Sequence, residues 1–131
     1  MVFRFDLATE EDVILVNSSI GGKFEFRLAL DTAATHTTID SSVLYFSGYE
    51  LRNSKGEKDV ETSNGIVMVE LYEIEDFTCL GISKDKFEVQ VYDFLAHGIV
   101  SDYDGVVGLD FLREHKLCID MRKGEIEVDK L

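Results

Sequence analysis

Leu28-Ala29-Leu30-Asp31-Thr32-Ala33-Ala34-Thr35 is the stretch on which the reading of the fold turns. Its apolar part closes a run, Lys23 to Leu30, in which charged and apolar side chains alternate. A period of two predicts a strand with one solvated face. The ionisable Asp31 follows at once, and small residues and hydroxyls follow Asp31. Small side chains let backbone and ligand come close to a carboxylate. Thr32 and Thr35 carry hydroxyls that can donate to it. Taken alone, the pattern also suits an Asp that forms a turn or caps a helix.

Upstream, Val13-Ile14-Leu15-Val16 is apolar throughout and reads as a buried strand. Gly21-Gly22 then turns the chain, so this run and Lys23 to Leu30 form a hairpin. Downstream, Thr37-Thr38-Ile39 is β-branched and predicts extended chain. Asp40-Ser41-Ser42 offers a cap for a short helix through Phe46, and Asn53 to Lys58 reads as a polar loop. Asn64-Gly65 is the strongest hairpin signal, because both residues tolerate positive φ. Val60 and Thr62 precede it, and Ile66 to Val69 follow. Phe77 to Leu80 and Phe87 to Tyr92 flank a turn over Gly81 to Lys86. Asp104-Gly105 opens a strand, Val106-Val107, that ends at Gly108. Leu109 to His115 is the best helix, with Asp110 in its first turn and Arg113 and His115 in its last, as the macrodipole favours. Leu117 to Met121 and Glu125 to Val128 make a closing hairpin across Arg122-Lys123-Gly124. Short strands at close intervals indicate an all-β fold, with residues 1–131 expected as a single domain.

The chain has 131 residues with 13 Lys+Arg against 26 Asp+Glu, a net charge of -13. Such acidity argues against nucleic acid and anionic lipid as partners. No run approaches the roughly 20 apolar residues of a membrane span. Met1 to Asp6 lacks the basic and apolar blocks of a signal peptide, so a cytoplasmic location is expected. Cys79 and Cys118 belong to no C-x-x-C pair and are expected as reduced, buried thiols. His36, His97 and His115 have no metal-ligand spacing, so neither a metal nor another cofactor is expected. His36 is expected to face solvent, and Asp110 and Asp120 to be structural. The acidic runs Glu10-Glu11-Asp12 and Glu73-Ile74-Glu75-Asp76 read as solvated faces.

The stretch Asp31-Thr32-Ala33-Ala34-Thr35 resembles the Asp-Thr/Ser-Gly-Ala/Ser motif of aspartic peptidases. Gly105-Val106-Val107-Gly108 resembles the apolar-apolar-Gly element beneath that motif. Thr62-Ser63-Asn64-Gly65-Ile66-Val67 stands where the family has its flap. Gly108 to Leu112, Leu117 to Asp120 and Gly124 to Val128 are similar to the C-terminal part of bacterial retropepsin-like proteins. The resemblance implies a retropepsin-like acid protease fold, a closed β-barrel-like domain with one short C-terminal helix. It implies Asp31 as the catalytic carboxylate, supported by Thr32, Ala33, Ala34 and Thr35. Ser63, Asn64, Gly65 and Ile66 become the flap that meets substrate. Val106, Val107 and Gly108 become the structural element under the site. One Asp-Thr pair per chain implies a homodimer, with Thr32 bracing the two aspartates across the axis. The implied activity is peptide-bond hydrolysis by a water that the Asp pair activates, without a cofactor.

Ala33 stands where the family usually has Gly. A methyl group there can crowd a peptide or tilt Asp31. It motivates a second expectation from another class: a dimeric peptide-binding or scaffold module with the same fold and weak or no catalysis.

Overall fold

The alternation in Lys23 to Leu30 becomes a strand, and the rest of a nine-stranded sheet assembles on either side of it. The computed structural model describes residues 1–5, 13–62, 65–99 and 102–129. In chain order the strands are β1 (Val2–Arg4), β2 (Leu15–Ile20), β3 (Phe24–Leu30), β4 (Thr38–Asp40), β5 (Gly56–Thr62) and β6 (Gly65–Ile74). They continue with β7 (Phe77–Cys79), β8 (Ile82–Lys84), β9 (Phe87–Tyr92), β10 (Gly105–Val107), β11 (Lys116–Asp120) and β12 (Glu125–Asp129). The helices are α1 (Ser41–Phe46) and α2 (Leu109–Leu112), with 3-10 turns at Leu51–Asn53 and Leu95–His97. The large sheet runs β5-β6-β9-β4-β10-β3-β2-β7-β8, and a second sheet runs β1-β12-β11.

The all-β class is present, but the barrel closure is not. Among the described residues neither sheet closes on itself; β5 and β8 are the free edges of the larger one. The short helix α2 is followed by the hairpin β11–β12, and α1 is a further helix.

One connection decides where the site lies. β10 pairs parallel with β3 (Val107↔Leu30) and antiparallel with β4 (Val106↔Thr38). Strands β3 and β4 are consecutive in the chain, yet β10 lies between them. The loop from Asp31 to Thr37 therefore arches over the end of β10.

Several boundaries differ from those read in the sequence. β2 starts at Leu15, not Val13, and continues through the polar Asn17-Ser18-Ser19. It pairs with β3 on one side and β7 on the other, so its backbone is satisfied whatever its side chains. Gly56 to Lys58, expected in a loop, belongs to β5 because Leu71 to Val69 of β6 offer a ladder. Within the expected turn Gly81 to Lys86 lies β8, joined to β7 by Leu80 and Gly81 at φ 52° and 72°. Two positive φ values make the turn whose twist matches a hairpin, here with Leu in place of Asn.

Helix α2 ends at Leu112, short of His115. Arg113 is extended (φ -56°, ψ 144°) and Glu114 has φ 76°, which turns the chain into β11. Arg113 and His115 therefore lie outside the last turn. Lys84 from β8 takes their expected role: its Nζ donates to Phe111 O at 3.0 Å and sits 4.7 Å from the Phe111 ring.

The core is aromatic and branched-aliphatic. Phe77, Phe111, Leu28, Ile39, Ile74, Ile126, Val89 and Val107 are fully buried. Phe111 meets Phe77 edge-on at 5.3 Å and Phe87 at 5.5 Å, a geometry that favours ring contacts beyond area alone. Burial pushes the Cys79 thiol up to about 11, with Ser18 acting weakly in the other direction. Cys118, expected inside, is exposed on β11, because the small sheet leaves that side of the strand uncovered.

Candidate active site

Asp31 is the first residue beyond β3, and its N–H donates to Val107 O at 3.1 Å, continuing the β3–β10 ladder by one bond. The side chain is half-buried. Its Oδ1 accepts from Ala33 N at 2.9 Å, and its carbonyl accepts from Ala34 N at 3.2 Å. These bonds form a tight Asx-type turn, which orients the carboxylate from the residue's own loop. Thr32, Ala33 and Thr35 are exposed, and Ala34 is half-buried.

The other end of the loop is held by α2. Leu109 N donates to Ala34 O at 2.8 Å and Asp110 N to Thr35 O at 3.2 Å. Gly108 lets the loop pass this close: a Cβ there would lie 2.7 Å from Ala34 O. Gly105 has φ +147°, and a Cβ on it would overlap the Thr38 carbonyl oxygen. Both glycines of Gly105-Val106-Val107-Gly108 are therefore required by backbone approach. Val107 is buried in the core, whereas half-buried Val106 faces the cleft above.

Thr37 was passed over in the sequence as a strand residue, and it is the hub of the loop. It is fully buried. Its N–H donates to both Asp110 carboxylate oxygens, at 2.9 and 3.0 Å. Its Oγ1 donates to Asp110 Oδ1 at 2.8 Å and accepts from Gly108 N at 3.1 Å. Asp110 also accepts from Phe111 N at 2.9 Å, so its charge faces the start of α2 as expected. Its larger role is to tie that start to the loop. A β-branched residue next to a motif gives no sequence signal for partners this far along the chain.

A cleft of about 390 Å³ lies between this loop and β5. Ala33, Ala34, Thr35 and His36 form one wall, and Lys58 to Glu61 the other. Gln90 and Thr38 lie at its base, where Thr38 Oγ1 donates to Gln90 Oε1 at 3.3 Å. The β5 wall was not anticipated as site. Of the expected flap residues, Ser63 and Asn64 lie outside the described residues. Thr62 pairs with Gly65, so β5 and β6 do form the expected hairpin. Gly65 and Ile66 do not line the cleft, and Ile66 is 74% exposed.

His36 is exposed, as expected, with Nδ1 3.0 Å from Thr35 Oγ1. Asp120 is structural: Oδ1 accepts from Arg122 N and Lys123 N in the closing hairpin. Among the described residues no group of His, Cys, Asp and Glu could hold a metal ion. No helix among them is long and apolar enough to cross a membrane.

The arrangement is one carboxylate at the head of a braced loop whose residues Ala33 to His36 line a cleft walled on the other side by β5; Asp31 and Thr32 themselves do not line it. The family pattern described as aspartyl protease matches residues 16–111, which include both the Asp31 loop and Gly105 to Gly108. The chain belongs to this aspartyl protease family. Its structure is similar to the crystal structure of a retropepsin-like aspartic protease from Rickettsia conorii, with a TM-score of 0.69. That likeness covers 99% of this chain and 89% of the other at 14% identity, and so concerns the fold. No curated protein matches the sequence.

Proposed function

We propose that the chain is an aspartic endopeptidase that acts as a homodimer, with Asp31 of each subunit supplying one carboxylate of the catalytic pair. The observation that carries this reading is the Asp31 carboxylate, oriented by Ala33 N–H at the head of a loop anchored at both ends. Each chain has one such residue, so the pair needs a second copy. Two carboxylates within hydrogen-bond reach share one proton over a broad pH range. The ionised one takes a proton from a water as that water attacks the peptide carbonyl. The protonated one donates to the carbonyl oxygen. The apparent pKa values then belong to the pair. Thr32, exposed at the loop's crest, braces the partner loop across the axis.

The substrate lies extended in the cleft, alongside β5 and over Ala33 to His36, as an added strand would. The β5–β6 hairpin, with Ser63 to Ile66 at its tip, closes over it and excludes water. The β1-β12-β11 sheet suits the dimer contact, because Met1, Val2, Ile119 and Met121 expose apolar side chains there.

Ala33 motivates the binding-module reading, and its geometry favours the enzyme instead. It is absent from the residues with positive φ, so its loop conformation does not demand glycine. Its N–H reaches Asp31 at 2.9 Å regardless of the methyl group. The test is Asp31→Asn, measured on an unfolded protein or a peptide library. Cleavage is expected to fall about a thousandfold or more, in the range of general acid–base effects. Cleavage at the wild-type rate would overturn the assignment.

A further inference from the structure

A second groove, of about 520 Å³, lies between α1, the end of β9 and the middle of β6. It shares no lining residue with the cleft beside Asp31. Its floor is the buried core, through Leu44, Tyr72 and Val91. Its rim is aromatic and exposed: Tyr45 is 75% and Phe46 69% accessible, with Leu95 opposite at 78%. Tyr45 and Phe46 meet edge-on at 5.8 Å, and Phe46 stacks on Phe24 at 6.0 Å, so these rings are held rather than splayed.

The charges in this lining have one sign. Asp40, Glu50, Glu70 and Asp93 contribute carboxylates, and no Lys, Arg or His lines the groove. Asp40 spends both oxygens, on Phe94 N and on the Ser42 hydroxyl, and Asp93 spends one on Ala96 N. Glu50 meets Arg52 at 2.8 Å, a solvent-exposed pair of little strength that a competing cation can displace. Among the described residues the Glu70 carboxylate accepts only from the Tyr72 hydroxyl, at 3.5 Å. The Tyr72 hydroxyl is itself held above its ordinary pKa, first by burial and then by Glu70.

Ring faces beside unneutralised carboxylates attract a cation in two ways, by charge and by the ring quadrupole. Exposed apolar side chains next to them favour a ligand that also has apolar parts. A segment of polypeptide with alternating basic and apolar residues has both. We propose that this groove docks a basic, apolar-flanked segment of a protein partner. A Lys or Arg side chain enters between Tyr45, Tyr49 and the Glu50 and Glu70 carboxylates. An adjacent apolar side chain covers Phe46 and Leu95. The groove is a binding site separate from the cleft, and it needs no catalysis to be detected.

The experiment uses the full chain carrying Asp31→Asn, so that no probe is consumed. A fluorescein-labelled hexapeptide of alternating Arg and Leu is titrated by anisotropy at low salt. The control probe has Glu in place of Arg. Glu50→Gln with Glu70→Gln is expected to weaken binding at least about tenfold, and Tyr45→Ser with Phe46→Ser by a similar factor. Glu88→Gln with Glu114→Gln removes the same charge at exposed positions that do not line the groove and is expected to change affinity less than twofold. Equal losses in the two charge variants would mean general attraction to an acidic protein and would overturn the site. So would equal binding of the Glu probe, or full affinity in the Tyr45/Phe46 variant. Sedimentation of the same variants tests a second copy as the occupant. Self-association lost in Tyr45→Ser with Phe46→Ser would assign the groove to the dimer and overturn the proposal.

Discussion

The Asp31 loop and the β5–β6 hairpin face the same cleft and are held in opposite ways. The loop is short, and four of its seven residues, Asp31 to Thr37, bond to a strand or helix distant in sequence. Asp31 bonds to Val107, Ala34 to Leu109, Thr35 to Asp110, and Thr37 to Asp110 and Gly108. The hairpin is long, and among the described residues the strands of its outer half pair only with each other. Glu70 to Ile74 of β6 pair with β9, but Gly65 to Val69 pair with β5 alone. Ile66 and Met68 are 74% and 52% exposed there. The element that aims a carboxylate has its geometry fixed by the whole fold. If the hairpin admits a substrate, as proposed, its local ties let it open without unfolding the rest.

The largest expected effect comes from breaking the fixed side at its tightest point. Gly105→Ala places a methyl group on the Thr38 carbonyl and asks Ala to adopt φ +147°. Either β4 or β10 must move, and the loop between β3 and β4 moves with them. The expected cost is about 3 kcal/mol or more, which lowers the melting temperature by roughly 10 °C or prevents folding. Thermal unfolding followed by circular dichroism checks this. A variant that melts with the wild type would show that the β4–β10 contact is slack.

Thr37→Val is the next test, because it keeps shape and removes only the hydroxyl. Gly108 N loses its acceptor in a buried place, and Asp110 loses one of its donors in a part-buried one. An unsatisfied buried group costs about 1–3 kcal/mol, so a drop of roughly 5 °C is expected. If the loop aims Asp31, turnover should fall more steeply than stability does, with KM nearly unchanged. Serine at the same position restores the hydroxyl and is expected to recover most of the turnover. Loss of turnover that Thr37→Ser fails to recover, with stability intact, would separate Thr37 from the aim of the carboxylate.

The same contrast explains what could be read in the sequence. Local signals carried the hairpins: Gly21-Gly22, Asn64-Gly65 and Arg122-Lys123-Gly124 all lie between strands that pair as expected. The Asp31 and Gly105 to Gly108 stretches were legible because small residues beside a carboxylate and glycines around an apolar pair are unusual patterns. Interactions between distant residues were not legible. Thr37 looks like any β-branched strand residue until Asp110 comes into contact with it. Strand β1 exists because Glu125 to Glu127 offer it an edge, which nothing in Val2 to Arg4 announces. Strand β8 was hidden because Leu80 occupies a turn position usually given to Asn or Gly.

The smallest expected effect on stability lies at the hairpin's outer end, where it sharpens the contrast most. Ile66 belongs to β6 but buries little of its side chain, being 74% exposed. Replacing it with Ser removes almost no buried area, so stability should change by less than about 0.5 kcal/mol. The unfolding midpoint should stay within about 2 °C of the wild type. If the hairpin closes over substrate, the same side chain gains contacts only in the closed state. Peptide KM is then expected to rise several-fold while the folded protein is unaltered. A stability loss above 1 kcal/mol would mean that the tip is packed in the free protein, by the partner subunit or by its own fold. A KM equal to the wild type's would mean that Ile66 never meets the substrate, and that the wall of Lys58 to Glu61 alone forms that side of the cleft. Either result would redraw the line between the part of the site that is built and the part that moves.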